Sequence, residues 1–215
     1  MKKKMVSILT AAFCVSALLA GCGFADTAKT SASSAGAASS SADGTTTFTV
    51  GFDAEYPPYG YMDDNGDYTG FDLELAQAVC DMEGWTLEKK PIEWNSKDME
   101  LESGAIDCIW NGFTINGRED DYTWTDPYIN NEQVIVVAKD SGIEKLADLK
   151  GKNVVVQAAS AALDALNNDD NKDLKDSFAS LTENPDYNTA FMNIDSGAAD
   201  AVAVDAVGAP LGGGD

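Results

Sequence analysis

The chain has 215 residues, enough for one large domain or two smaller lobes with separate cores. Its 36 Asp and Glu against 14 Lys and Arg give a formal charge of -22, a field that repels phosphate backbones and anionic headgroups and disfavours direct binding of nucleic acid. It has no histidine, which removes the usual zinc constellations and every histidine-based nucleophilic triad, so neither a metal nor a cofactor is expected.

Residues 1–21 place Lys2, Lys3 and Lys4 ahead of an apolar run from Met5 to Ala20, closed by small residues. That is the pattern of an export signal, shorter than the core of about 20 apolar residues that a spanning helix needs. The run Leu19-Ala20-Gly21-Cys22 resembles a bacterial lipoprotein signal, which implies that Cys22 becomes the lipidated first residue of the mature chain. Residues 22–47, rich in Ser, Ala, Gly and Thr, carry too little apolar surface to fold and read as a flexible linker.

From Phe48 the texture changes to short apolar runs and amphipathic segments. Residues 48–52 predict a strand, stopped by the paired prolines of Asp53-Ala54-Glu55-Tyr56-Pro57-Pro58-Tyr59. Residues 63–67 predict a hairpin turn and do not fit the ligand spacing of a calcium loop. Phe71, Leu75, Ala78, Val79 and Met82 predict one face of a helix over 71–85, ended by Gly84. A strand at 86–94, a short helix at 97–104 and a buried strand at 105–112 follow, and this alternation predicts an α/β lobe with a largely parallel sheet.

A crossing strand at 132–138 closes the first lobe, assigned to 48–138, and a partial second lobe takes 139–215. In the second lobe a strand ends at Gln157, helices are predicted at 159–166 and 191–197, and an apolar strand ends at Asp205. Cys80 and Cys108 are either bridged or two small buried thiols, and the sequence leaves both open.

Three stretches, taken in order and spacing, carry a family resemblance: Asp53 through Tyr59, Thr69-Gly70-Phe71-Asp72, and Gly112-Phe113-Thr114 through Arg118 to Asp126-Pro127-Tyr128. Over about residues 48–209 the chain resembles the amino-acid-binding proteins of ABC importers, the bacterial extracellular solute-binding proteins of family 3. The resemblance implies the two-lobed periplasmic-binding-protein-like α/β fold. It also implies a monomer that captures a free, polar amino acid for a membrane permease, lipid-anchored on the extracellular face of the membrane or periplasmic. Family members continue well past Asp205, so the second lobe and the return to the first are expected to be truncated in this chain.

An amino-acid site must pair both an α-carboxylate and an α-ammonium, because an unpaired charge taken out of water costs more than the contact returns. The resemblance places the carboxylate on Arg118, whose guanidinium can fork onto it, and the ammonium on Asp205. It places Tyr56 and Trp94 on either side of the ligand side chain, with core burial the alternative for Trp94. Asn111, Gly112 and Thr114 supply main-chain and hydroxyl contacts, although Asn111 alone fits a strand-to-loop turn equally well. Asp53 either reaches the distal end of the ligand or caps its own loop. In the second lobe Ser160 is carried over, while Ala159 and Ala161 stand where the family has glycine and a hydroxyl residue. The rival reading, an enzyme, would need Glu55 or Asp53 as acid or base, and nothing in the sequence pairs either with a second catalytic group. No enzymatic activity is therefore expected.

Overall fold

The computed structural model describes residues 45–208. The export signal, the lipidated Cys22, the linker up to residue 44 and the chain beyond residue 208 lie outside the described residues.

The first sheet is built on β1 (Thr47–Phe52), flanked in parallel by β5 (Thr86–Pro91) and β6 (Cys108–Ile109). Parallel neighbours require crossovers, and α1 (Phe71–Glu83) and α2 (Lys97–Glu102) provide them. Between β1 and α1 lies a small antiparallel sheet of β2 (Glu55–Tyr56), β3 (Gly60–Met62) and β4 (Tyr68–Thr69). The expected hairpin turn joins β3 to β4, with Asp63 Oδ1 accepting the N–H groups of Asn65 and Asp67, each at 2.9 Å.

Gly70 starts α1 at φ 126, and a Cβ there would stand 2.3 Å from the Tyr59 carbonyl oxygen. Only glycine fits that close approach. The helix ends at Gly84 in the left-handed conformation, as its sequence predicts. Its buried face differs from the predicted one: Leu73, Ala76 and Cys80 are fully buried, whereas Phe71 and Met82 are exposed. The face is set by the crevice that receives Asp72, which rotates the helix so that its outer hydrophobics turn to solvent.

The second sheet runs β7-β10-β8-β9, from β7 (Gln133–Val137), β8 (Asn153–Gln157), β9 (Ser180–Asn184) and β10 (Ala201–Asp205). β8 and β9 are parallel to their neighbours, and β7 joins β10 antiparallel. The 133–137 segment therefore belongs to the second sheet and not to a first lobe ending at 138. Its five apolar or amphipathic residues match β10 along the full strand, a better partner than β6, which has only two strand residues. The predicted strand over 105–112 shrinks accordingly to Cys108–Ile109.

α3 (Ala161–Asn167), α4 (Lys172–Asp176) and α5 (Tyr187–Asp195) cover this sheet. Val154, Val156, Val202 and Val204 are fully buried along β8 and β10. Each such side chain contributes about 1.5–3 kcal/mol by leaving water. Continuous burial along β10 gives the second lobe a rigid floor that ends at the Asp205 carboxylate. Cys80 and Cys108 are free thiols. Among the described residues no helix is long and apolar enough to cross a membrane.

Candidate functional site

A cleft opens where the two sheets meet, and Tyr56, Trp94, Asn111, Gly112, Thr114, Arg118, Ser160 and Asp205 all line it. Residues from three chain segments of one lobe thus meet two from the other. Of the expected site residues only Asp53 stays out of the lining: it is 4% exposed and lies behind the surface. Its Oδ1 accepts the Glu55 N–H at 2.8 Å and its Oδ2 accepts Gln157 Nε2 at 2.6 Å. Asp53 therefore caps its own loop and also ties the first lobe to the second. Burial raises its pKa, opposed by those two hydrogen bonds.

Arg118 sits after the turn 115–118, closed by its own N–H donating to the Ile115 carbonyl at 2.9 Å. The guanidinium lies 5.2 Å from the Phe113 ring centre and donates to the Thr114 carbonyl at 3.3 Å. Across the cleft it reaches the Ala159 carbonyl at 3.5 Å and Asp164 Oδ2 at 2.5 Å. The Arg118 side chain is 11% exposed and that of Asp164 62%, so the cation is the buried partner and the anion the solvent-exposed one.

Asp205 at the end of β10 is held by three donors that all converge on Oδ1: Thr114 Oγ1 at 3.3 Å, Asn131 Nδ2 at 2.5 Å and Gln133 Nε2 at 2.6 Å. No lysine or arginine among the described residues forms a salt bridge with it. A desolvated carboxylate held only by neutral donors is an acceptor for a cation.

Tyr56 is stacked on Tyr59 at 5.6 Å between ring centres and faces Tyr187 at 5.8 Å. Gly112, at φ 46, lets the backbone pass that ring, since a Cβ would be 3.3 Å from Tyr56 Cε1. Trp94 is 7% exposed, meets Phe113 edge-on at 5.1 Å and so is buried as well as lining the cleft. Asn111 also has two roles, because its Oδ1 accepts the Asp53 N–H at 3.0 Å. Ser160 Oγ accepts the Leu163 N–H at 3.2 Å and caps α3.

Ala159, at φ 54, has the only left-handed non-glycine backbone among the described residues. The alanine keeps a glycine-type conformation that turns its carbonyl toward Arg118. Beside it Lys97 is 3% exposed, with its ammonium 5.2 Å from the Trp94 ring centre and 3.5 Å from the same Ala159 carbonyl. Burial lowers its pKa, opposed by the Asp98 charge and reinforced by that of Arg118.

Sequence reasoning missed Tyr187 and the supports of Asp205. Tyr187 opens α5, far from every motif, and no periodicity marks it. Asn131 and Gln133 could have been found from the alternation of β7, which puts Gln133 opposite Asp205 in the ladder.

The family model for bacterial extracellular solute-binding proteins, family 3, matches residues 48–201. The chain belongs to this family. As a family 3 protein it is 33% identical over 159 residues to the arginine-binding extracellular protein ArtP of Bacillus subtilis, covering 74% of this chain and 57% of the relative. It is 37% identical over 113 residues to the L-cystine-binding protein TcyJ of Escherichia coli, covering 51% and 42%. The chain thus spans about half the length of these relatives. Among solved structures it is similar to a substrate-binding protein of an ABC uptake transporter from Streptococcus pneumoniae with bound histidine, at TM-score 0.72 and 34% identity, covering 76% of this chain and 67% of that one. An ancestral arginine-binding protein bound to arginine matches at TM-score 0.68 and 36% identity, with coverages of 76% and 71%. The two-lobed α/β fold of this family is the fold described above.

Proposed function

We propose that this family 3 protein captures a free amino acid in the cleft and passes it to the membrane permease of an ABC importer, without chemistry of its own. The observation that carries the reading is the placement of a buried cation, Arg118, and a carboxylate without a salt bridge among the described residues, Asp205, on the lining of one cleft. An α-amino acid is the small molecule that presents the complementary pair. Its α-carboxylate lies on Arg118, displacing the exposed Asp164. Its ammonium lies on Asp205, and its side chain lies between Tyr56 and Trp94, whose rings give large contact area with little conformational freedom to lose.

A polar or cationic side chain suits the cleft, because Asp53 stands behind Gln157 and no cation among the described residues forms a salt bridge with it. The relatives named above are an arginine-binding protein, an L-cystine-binding protein and a substrate-binding protein with bound histidine. Lipid attachment at Cys22 holds the protein on the extracellular face, with the linker giving it reach. The test is a thermal-shift screen against the twenty amino acids and L-cystine, since a ligand that binds the folded state raises its melting temperature by mass action. One or a few polar amino acids should raise it, and no shift with any of them would refute the reading.

A further inference from the structure

Two tyrosine hydroxyls in the cleft stand out: Tyr56 and Tyr187 are 4% and 3% exposed, and neither hydroxyl meets hydrogen-bonding geometry with a described residue, although the Asp205 carboxylate lies close enough to act on that of Tyr56. A buried hydroxyl without a partner destabilises the fold that contains it. Tyr187 gains nothing local from its hydroxyl. The Ser160 side chain and the Asp205 main chain are near enough to influence it without hydrogen-bonding geometry. A phenylalanine would pack against Tyr56 and Phe191 equally well.

The charges around these hydroxyls choose the kind of group they serve. Asp205 acts on both phenols, and Asp53 acts on Tyr187 as well. Burial together with this negative field raises both phenols, so each keeps its proton and a lone pair to accept with. A carboxylate would be repelled there, and a cationic donor is favoured. The three supports of Asp205 all fall on Oδ1, and Oδ2 takes none of them.

We propose that Tyr187 is a ligand-contacting residue whose hydroxyl accepts an N–H from the primary ammonium of the bound amino acid, beside Asp205 Oδ2 and the Tyr56 hydroxyl. An ammonium has three N–H bonds and these are three acceptors. The inference rests on the function proposed above and adds to it a residue from α5 that belongs to none of the sequence motifs.

The test is Tyr187→Phe in the full chain, which keeps the ring and removes one oxygen. Each of the twenty L-amino acids and L-cystine that shifts the wild type is titrated calorimetrically into both proteins. The variant should bind at least about tenfold more weakly, the ordinary worth of a hydrogen bond to a charged group. Its ligand-free melting temperature should rise, since the unpaired hydroxyl has gone. A purely structural tyrosine would not move these two quantities in opposite directions. Equal affinity in the two proteins, or a lower ligand-free melting temperature, overturns the assignment of Tyr187 alone. A wild type that binds none of these compounds overturns the amino-acid reading itself.

Discussion

The Asp72 carboxylate accepts the backbone N–H of Gly112 at 2.6 Å. Its other oxygen takes the Tyr128 hydroxyl at 2.7 Å, so one fully buried acid fixes the position of a cleft-lining glycine. Burial pushes the Asp72 pKa up to about 6, with the Tyr128 and Gly112 hydrogen bonds pulling the other way. The folded chain therefore holds this proton more tightly than the unfolded one, whose value is near 3.8. The stabilisation is fully present below about pH 4 and is lost as pH rises through about 6. Asp72→Asn should flatten that decline, by roughly 3 kcal/mol at most. Urea titrations at pH 4, 5, 6 and 7 check it. Asp53, raised in the same direction, leaves a residual slope, but a slope identical to that of wild type would refute the role of Asp72.

Arg118→Ala removes the proposed partner of the ligand carboxylate and should weaken amino-acid binding by about 2–5 kcal/mol. Arg118→Lys should recover only part, because a point charge cannot reproduce two parallel hydrogen bonds. Calorimetry with an amino acid and its decarboxylated amine separates the effects: the wild type discriminates against the amine and Arg118→Ala does not. Unchanged affinity in Arg118→Ala would send the carboxylate elsewhere.

Ala159→Gly should stabilise the ligand-free protein by about 1 kcal/mol, because the left-handed conformation at φ 54 costs an L-residue about 1–2 kcal/mol and glycine much less. Chemical denaturation measures it. A destabilised glycine variant would mean that the alanine methyl is held by packing that outweighs the strain.

Cys22→Ser should release the protein from membranes into the soluble fraction without changing its melting temperature, since the expected acyl anchor is attached there and Cys22 is no part of the described residues 45–208. Fractionation of cells expressing the two forms decides the matter. A serine variant that still pellets with membranes defeats the lipoprotein assignment.

The features legible in the sequence were those that act locally. The glycine ending α1, the hairpin at Asp63–Asp67 and the order of strands and helices depend on neighbours within a few residues. The grouping of Tyr56, Asn111, Arg118 and Asp205 was legible only through the family resemblance, because their meeting depends on two separate sheets facing each other across the cleft. What stayed hidden depends on partners far along the chain. Gln133 supports Asp205 from 72 positions away, and Asp53 meets Gln157 from 104 away. Local periodicity carries no trace of such pairs. The misjudged face of α1 has the same origin, since the crevice for Asp72 is completed by Gly112 and Tyr128.

The two free thiols among the described residues make the protein addressable by chemistry. Burial raises the Cys80 thiol and pushes Cys108 up to about 12, leaving Cys108 on the order of a thousandfold less thiolate at neutral pH than an exposed cysteine of ordinary pKa. A maleimide dye would therefore ignore both and react with a cysteine introduced on the surface. Asn188 is exposed at the start of α5 and donates to Glu55 on the other lobe. With Cys14 and Cys22 replaced by serine, a fluorophore attached to Asn188→Cys would sit at the seam between the lobes and report the binding proposed above as an optical signal.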